Sequence, residues 1–504
     1  MKAIYIRLLI GLTVGFLLSG CQKSPDKESV ISKNDGSFDI SIIQSATQES
    51  TQTNVQDGDC ENIEDATIVS PIRNNSFQHE ALFPSTDGTV LFSMDIHEEF
   101  TDAPMPVVEV VPHQLTEADA KRVAETLLGS GDYYEADPMF AETLCKEEIQ
   151  TKIDRWLAYK GSAGIDKELF LSSRNNYIEQ YTLMMESAPE ENTDSLCQWA
   201  YRKATYYVEA PEDAAKMNTS NDNDEIVAKT KVNGIPYRYS VSTRDASDFK
   251  LNNIYVEIND GNSPWSADYY IFRNQLCATE KPTQENIDAV VKKASDMFNQ
   301  MQLGEWFIDE YYVETFDRES TEYTIIVSAV PIFENVPVLR RPQLTNLKSK
   351  ETYASNYYLS NVKFTFNISG DLVAFEMYSP VDVTSIINAN VQTLSFDELI
   401  ERAKNHLALS DYYEYDYLGC LYSGIEDYNC YVNVTEAKYG LTRVKVPNTD
   451  ESYYYVPSMI FWGSVQFEGK ESSEVYDMEA ELGEINPLLI LNAIDGSVIN
   501  ATNE

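Results

Sequence analysis

Apolar and polar residues alternate from Val90 through Phe92 and Met94 to Ile96, a period of two that predicts a β-strand with one buried face. A second strand is expected at Val107–Val111, between Pro106 and Pro112. The period then lengthens. Ala120, Val123, Ala124, Leu127 and Leu128 recur at helical spacing after Thr116, which can cap the helix, and before Gly129 and Gly131, which can end it. This arrangement returns twice. Ile287, Val290, Val291, Ala294, Met297, Phe298 and Met301 follow Thr283 and run up to Gly304. Leu399, Ile400, Ala403 and Leu407 follow Ser395, with Glu398 completing a capping box. Each helix precedes an acidic, tyrosine-bearing stretch: Asp132–Glu135, Glu310–Val313 and Asp411–Glu414.

The segments downstream also echo one another. Val232–Tyr237 is matched by Phe333–Val338, and Asn253–Ile258 with Asp260-Gly261 is matched by Asn361–Phe366 with Gly370-Asp371. A third copy closes on Leu489–Ala493, Asp495-Gly496 and Val498-Ile499. An Asp-Gly or Gly-Asp pair between alternating runs signals a hairpin. The pattern predicts an α+β fold of tandem units, each one helix packed on an antiparallel β-sheet, at 65–280, 281–392 and 393–504. The first unit is enlarged by a helical insertion near 138–190, whose buried side is expected to carry Met139, Phe140, Leu144, Ile149, Ile153, Trp156 and Leu157.

The start of the chain follows another rule. Lys2 and Arg7 precede an apolar run, Leu8–Leu18, shorter than the roughly 20 residues of a membrane-spanning helix. Residues 1–20 have the make-up of a secretory signal peptide. Leu18-Ser19-Gly20-Cys21 looks like a lipobox, in which small residues precede a cysteine whose thiol takes a diacylglyceryl group. One acyl chain holds a protein only marginally; two or three make a stable anchor. Residues 21–64 are polar and read as a flexible tether. Its root-mean-square reach is roughly 35 Å, enough to lift a folded body off the lipid. The expectation is therefore a cell-membrane lipoprotein, anchored at Cys21 and displayed on the extracytoplasmic face.

Charge and thiols narrow the partners. Without residues 1–20 the chain has 36 basic and 81 acidic residues, a net charge of −45. Such a field repels nucleic acid and anionic headgroups and favours cations or basic partners. Six cysteines remain besides Cys21, and an even number in an exported chain permits disulfides. Among them, Cys420 and Cys430 are close in sequence, on either side of Ser423-Gly424, where a hairpin would bring them together. There is no C-x-x-C, which excludes a zinc ribbon or a thioredoxin-type motif.

Catalytic signatures are missing. None of His79, His97, His113 and His406 lies in an H-E-x-x-H, and each reads as a packed or solvent-facing histidine. No G-x-S-x-G occurs; Ser130, between Gly129 and Gly131, is a helix stop. Phosphate-cradling and dinucleotide loops are absent, so no nucleotide cofactor is expected. A glycosidase needs two acids at a set separation, but among 81 acids no pair stands out. Asp222 and Asp224, within Asn221–Glu225, make a weak calcium candidate that lacks the glycine and distal glutamate of an EF-hand loop. A polar turn before a strand at Glu225–Thr230 is the preferred reading there, and Asp57-Gly58-Asp59 is weaker still. The 33 tyrosines include Tyr412, Tyr413, Tyr415, Tyr417 and Tyr453–Tyr455 on expected strands, where sheet packing is favoured over a recognition surface.

Tyr454–Pro457 followed by Ile460–Trp462, with Asn492–Gly496 at the end, resembles the opening strand and closing hairpin of the PepSY-like fold. That fold packs one helix on a small sheet and often occurs in tandem in exported regulators and inhibitors. Over most of 85–500 the chain also resembles a family of uncharacterised lipoproteins from Gram-positive anaerobes, through Met105–Val110, Leu115-Thr116 and the first helix. The resemblance implies architecture and location and brings no catalytic residues. The expected role is non-enzymatic binding or regulation at the cell surface, through a protein, peptide or glycan partner. The alternatives are a cell-wall or glycan hydrolase using carboxylates and a solute-binding lipoprotein of a transporter. The second fits poorly, because such proteins usually carry parallel sheets and this chain is rich in hairpins.

Overall fold

The computed structural model describes residues 73–84, 88–100, 104–138, 144–159, 167–192, 194–206, 221–246, 249–259, 272–273, 276–277, 280–315, 322–339, 360–409, 428–445, 452–469, 475–477 and 488–499. The chain opens with β1 (Arg73–Pro84), β2 (Gly88–Phe100) and β3 (Met105–Pro112). Then come α1 (Glu117–Leu128), β4 (Tyr134–Glu135), α2 (Lys146–Ala158), α3 (Lys167–Ser187), β5 (Arg202–Tyr206), β6 (Asn221–Val232), β7 (Ile235–Ala246) and β8 (Phe249–Ile258). A second stretch holds α4 (Gln284–Met301), β9 (Trp306–Thr315), β10 (Tyr323–Phe333), β11 (Val336–Pro337), β12 (Asn361–Phe366) and β13 (Leu372–Tyr378). The last comprises β14 (Val381–Val391), α5 (Phe396–Leu409), β15 (Tyr428–Lys445), β16 (Tyr453–Gly469), β17 (Val475–Asp477) and β18 (Leu489–Asn492).

The three helices expected from the pattern form where their caps predict. Thr116 and Asp119 make a reciprocal capping box, as do Thr283 and Asn286. Ser395 and Glu398 do the same through their side chains and backbone amides. Burying one stripe of each helix drives its docking: Ala120, Val123 and Ala124, then Val290, Ala294 and Met301, then Leu399, Ile400 and Ala403 are all nearly inaccessible. Turns follow their residues as well. Asn233 and Gly234, between β6 and β7, both have positive φ (51° and 82°), as a two-residue hairpin of type I′ demands. Glu334 and Asn335 do the same between β10 and β11, at 48° and 64°.

The fold is α+β with mostly antiparallel sheets. The first, eight-stranded sheet runs β1-β2-β15-β16-β3-β14, with β17 and β18 also on β16; its β2–β15 pair is parallel. The second, ten-stranded sheet runs β11-β10-β12-β13-β8-β7-β6-β4, with β5 on β6 and β9 on β10. This grouping departs from the expected division at 280 and 392. Strands within 73–112 pair with strands after 381, whereas everything from β4 to β13 shares one sheet. Alternation marks which face of a strand is buried, but it does not say which edges will meet. In the second sheet, α1 is followed by the meander β6-β7-β8, and α4 by β9-β10-β12-β13. The final strands of the two meanders, β8 and β13, pair antiparallel over Asn253–Glu257 and Ala374–Tyr378. Both helices lie over one continuous core that includes Ile254, Val256, Phe364, Phe366, Phe375 and Met377.

The helical insertion is present as α2 and α3, with its own small core of Leu144, Ile149, Ile153, Trp156 and Tyr181. Trp156 stacks on Tyr177 at 5.1 Å. Leu157, expected on the buried side, is exposed: one residue past Trp156 turns it about 100° away. Met139 and Phe140 lie outside the described residues.

The described chain crosses between the sheets twice, after β3 and after β13, and the crossings are pinned together. The amide of His113 donates to the Pro380 carbonyl at 2.8 Å. Asn252 donates its side chain to the His113 carbonyl at 2.6 Å, and its own carbonyl accepts from the Ser379 amide at 2.8 Å. The His113 imidazole lies between Asp382 of β14 at 2.8 Å and Asp119 of α1 at 3.5 Å, so it bridges the two layers. A shared apolar cluster completes the joint: Val108, Val110, Leu441 and Tyr455 from the first sheet meet Val330, Phe333 and Val338 from the second. Leu339 donates its amide to the Leu441 carbonyl at 2.7 Å. Gly440 permits this approach, since a Cβ there would lie 2.9 Å from both the Leu339 side chain and the Pro337 carbonyl. Gly440→Ala should therefore cost about 1–3 kcal/mol by urea unfolding, the range for overpacking a tight contact. Hydrogen exchange at the Leu339 amide should speed up while helix content stays constant; unchanged stability and exchange would show that the joint is not tight.

Candidate functional site

Each strand of the second sheet turns alternate residues away from α1 and α4. On β8, Ile254, Val256 and Ile258 face the helices, so Asn253, Tyr255 and Glu257 face the other way. On β13 the same rule sends Phe375 and Met377 inward and Ala374, Glu376 and Tyr378 to the far face. Register then sets the neighbours. Glu376 lies opposite Tyr255 on β8 and Lys363 on β12. Tyr378 lies opposite Asn253, and Glu257 lies opposite Arg238 on β7. The far face at the β8–β13 seam is thus a polar, aromatic floor assembled from two stretches of chain more than a hundred residues apart. Tyr255, Glu257, Lys363, Glu376 and Tyr378 are all half-buried.

The two ends of this floor are bounded. At one end Val330, on the same far face, packs into the cluster shared with the first sheet. At the other, Arg238 donates to the carbonyls of Asp137 at 2.6 Å and Pro138 at 3.3 Å, which belong to the approach to the helical insertion. Lys229 pairs there with Asp194 at 2.8 Å.

Within the floor, the Tyr378 hydroxyl donates to Glu376 Oε2 at 3.1 Å. The rings of Tyr255 and Tyr378 stand nearly perpendicular, at 87° with centroids 5.6 Å apart, so they form a corner rather than a flat platform. Burial pushes the Tyr378 hydroxyl far up from the usual phenol range, and Tyr255 and Glu376 push it further, so it stays a donor. Asn253 is only 9% exposed, and its Oδ1 has no hydrogen-bond partner among the described residues. An unmet buried acceptor costs about 1–3 kcal/mol. Burial raises the Glu257 carboxyl, while the Asn259 amide donating at 2.9 Å and the Arg238 charge lower it; the net shift is upward.

The candidates marked in the sequence fall elsewhere. Cys21 and Cys420 lie outside the described residues, so the expected 420–430 pairing does too; Cys430 is on β15, opposite Phe467. Cys145, Cys197 and Cys277 are free thiols, and burial pushes the last two up, away from thiolate reactivity. Asn221–Asp224 is not a turn but the start of β6, paired with β5. Asp224 is engaged by Lys203 at 3.1 Å, and the Asp222 side chain lies outside the described ones. No group of three metal-ligating side chains occurs among the described residues. His406 is buried against the Gly496 carbonyl at 3.4 Å, and burial lowers its pKa, as befits a packed neutral histidine. Tyr453–Tyr455 are buried in the first sheet, as sheet packing required, whereas Tyr311 is 51% exposed on β9. The seam residues carry a faint sequence signal: Asn253–Ile258 and Asn361–Phe366 echo one another as strands, and Glu376 and Tyr378 follow the second.

A raised carboxyl is a stability statement. The folded state holds the Glu257 proton more tightly than the unfolded chain does, so its contribution is full at low pH. It is lost as pH rises past 4.5 and through the folded-state value. Glu257→Gln should raise the urea midpoint at pH 7, leave it nearly unchanged at pH 4 and flatten the slope between. Equal midpoints for both proteins at both pH values would show that this carboxyl is not desolvated.

No protein-family model matches the chain, and no curated protein matches it. A solved structure of an uncharacterised protein from Eubacterium rectale aligns with 81% of this chain and 90% of its own, at 10% identity and a TM-score of 0.31. A likeness that slight carries no argument about fold or function.

Proposed function

We propose that this chain is a non-enzymatic binding protein, tethered by lipid on Cys21 to the extracytoplasmic face of a membrane, that holds its ligand on the β8–β13 seam. One observation carries the reading. The middle of a ten-stranded sheet, half-buried on its far side, bears Tyr255, Tyr378, Glu376, Lys363 and Asn253 where packing alone would select apolar side chains. We further propose that each helix-then-meander stretch, beginning at α1, α4 and α5, is a PepSY-like unit. The one-sided docking of each helix and the hairpins that follow support this. The nearly wholly antiparallel sheets argue against a solute-binding lipoprotein with parallel lobes. Among the described residues no helix is long and apolar enough to cross a membrane.

A second reading has one observation in its favour. Glu257, raised by burial, sits diagonally across the seam from Glu376, a spacing of about 7–8 Å for such positions. A buried acid beside a second carboxylate suits an inverting glycan hydrolase. Binding is preferred because Glu257 is held by Asn259 and faces Arg238, within its own network.

Peptide and glycan arrays probed with the full-length protein in detergent test both readings. The wild type should retain members of one class unchanged, and Tyr255→Ala with Glu376→Gln should lose at least tenfold in affinity at an unaltered melting temperature. Equal binding by the variant would move the function away from the seam, and cleaved glycan abolished by Glu257→Gln would favour the hydrolase. Cys21→Ser should release the protein from membranes into the medium; full retention would remove the anchor.

A further inference from the structure

We infer that the seam takes an ammonium or guanidinium group, such as the end of a basic side chain, with Glu376 as counter-ion and Tyr255 and Tyr378 as walls. This rests on the seam being the binding face and adds the chemistry of what it binds. The shape of the aromatic pair argues first. Sugar rings lie on flat aromatic platforms, but two phenol rings at 87° make a corner, the start of a cage whose faces attract a cation. Hydrogen bonding argues second. An ionised carboxylate has about four lone-pair sites, and one described donor, the Tyr378 hydroxyl, reaches Glu376 Oε2. The seam therefore asks a ligand for donors.

The charges around the site bear on a cation in both directions. Arg238 directs its guanidinium to the Asp137 and Pro138 carbonyls. Lys363 lies opposite Glu376 on the other side from Tyr255, where its ammonium competes with an incoming cation. The chain as a whole, with 81 acidic and 38 basic residues, draws cations in and repels anions.

Calorimetry with the full-length protein in detergent tests this, using blocked trilysine, blocked triglutamate, spermidine and chitotriose as probes. Trilysine should bind and triglutamate should not. Binding should weaken at least tenfold in Glu376→Gln and tighten several-fold in Lys363→Ala, opposite shifts that a folding defect cannot produce. Spermidine binding equally well would assign the site to free polyamines, and its failure to bind would assign it to a peptide; either keeps the cation chemistry. Attraction to the acidic surface alone would survive Glu376→Gln, and that result overturns the proposal. If chitotriose binds, trilysine does not, and hydrogen exchange slows at 253–257, the cation is wrong but the binding face stands. If no probe binds and array binding is also indifferent to the seam variants, both fail.

Discussion

The register of a single strand pair, β8 against β13, holds the candidate site together. Asn253–Glu257 and Ala374–Tyr378 come from two separate meanders and pair residue for residue. Side chains on a strand alternate between faces, so a slip of one residue would send Glu376 and Tyr378 into the core and Phe375 and Met377 out of it. The apolar face under α1 and α4 forbids that slip, because Val256, Phe375 and Met377 are fully buried there. The same packing that stabilises the sheet thereby places two tyrosines, two glutamates and an asparagine side by side on the far face. Stability and site geometry have one cause.

The two crossings between sheets set where that face is open. His113 links Asp119 and Asp382, Asn252 ties both crossing segments, and the Phe333–Tyr455 contact at 4.9 Å seats one sheet on the other. The first sheet thus closes one end of the seam floor, and the approach to the helical insertion closes the other through Arg238. What is left between is partly shielded from water, where charges interact more strongly than they would on an open surface. Burial raises the Cys197 and Cys277 thiols and lowers His406, so these groups belong to the packing of the fold. His113 is absorbed by the joint.

The local sequence was enough to place α1, α4 and α5 with their caps, the hairpin turns and the antiparallel character of the strands. Those features depend on residues within about ten positions: Thr116 with Asp119, Gly370 with Asp371 between β12 and β13, a 3.6-residue stripe. The hidden part was non-local. Nothing in Met105–Pro112 announces that it will sit between β14 and β16, nearly three hundred residues on, rather than beside α1, which follows it. For the same reason the three-unit division by chain order missed the shared ten-stranded sheet. Asp224 lies in a strand and not in the turn its sequence suggests, because its partner Lys203 lies across a strand pair that the pattern does not name.

The sequence by itself determined the three capped helices, the buried stripe of each and the strong negative charge. Each is a property of single segments or of simple sums over residues. Only the tertiary structure decided that Tyr255, Tyr378, Glu376 and Asn253 would share a face. That outcome depends on which of many compatible strand edges pair, a choice made by the joint burial of both helices' apolar stripes and recorded in no one segment.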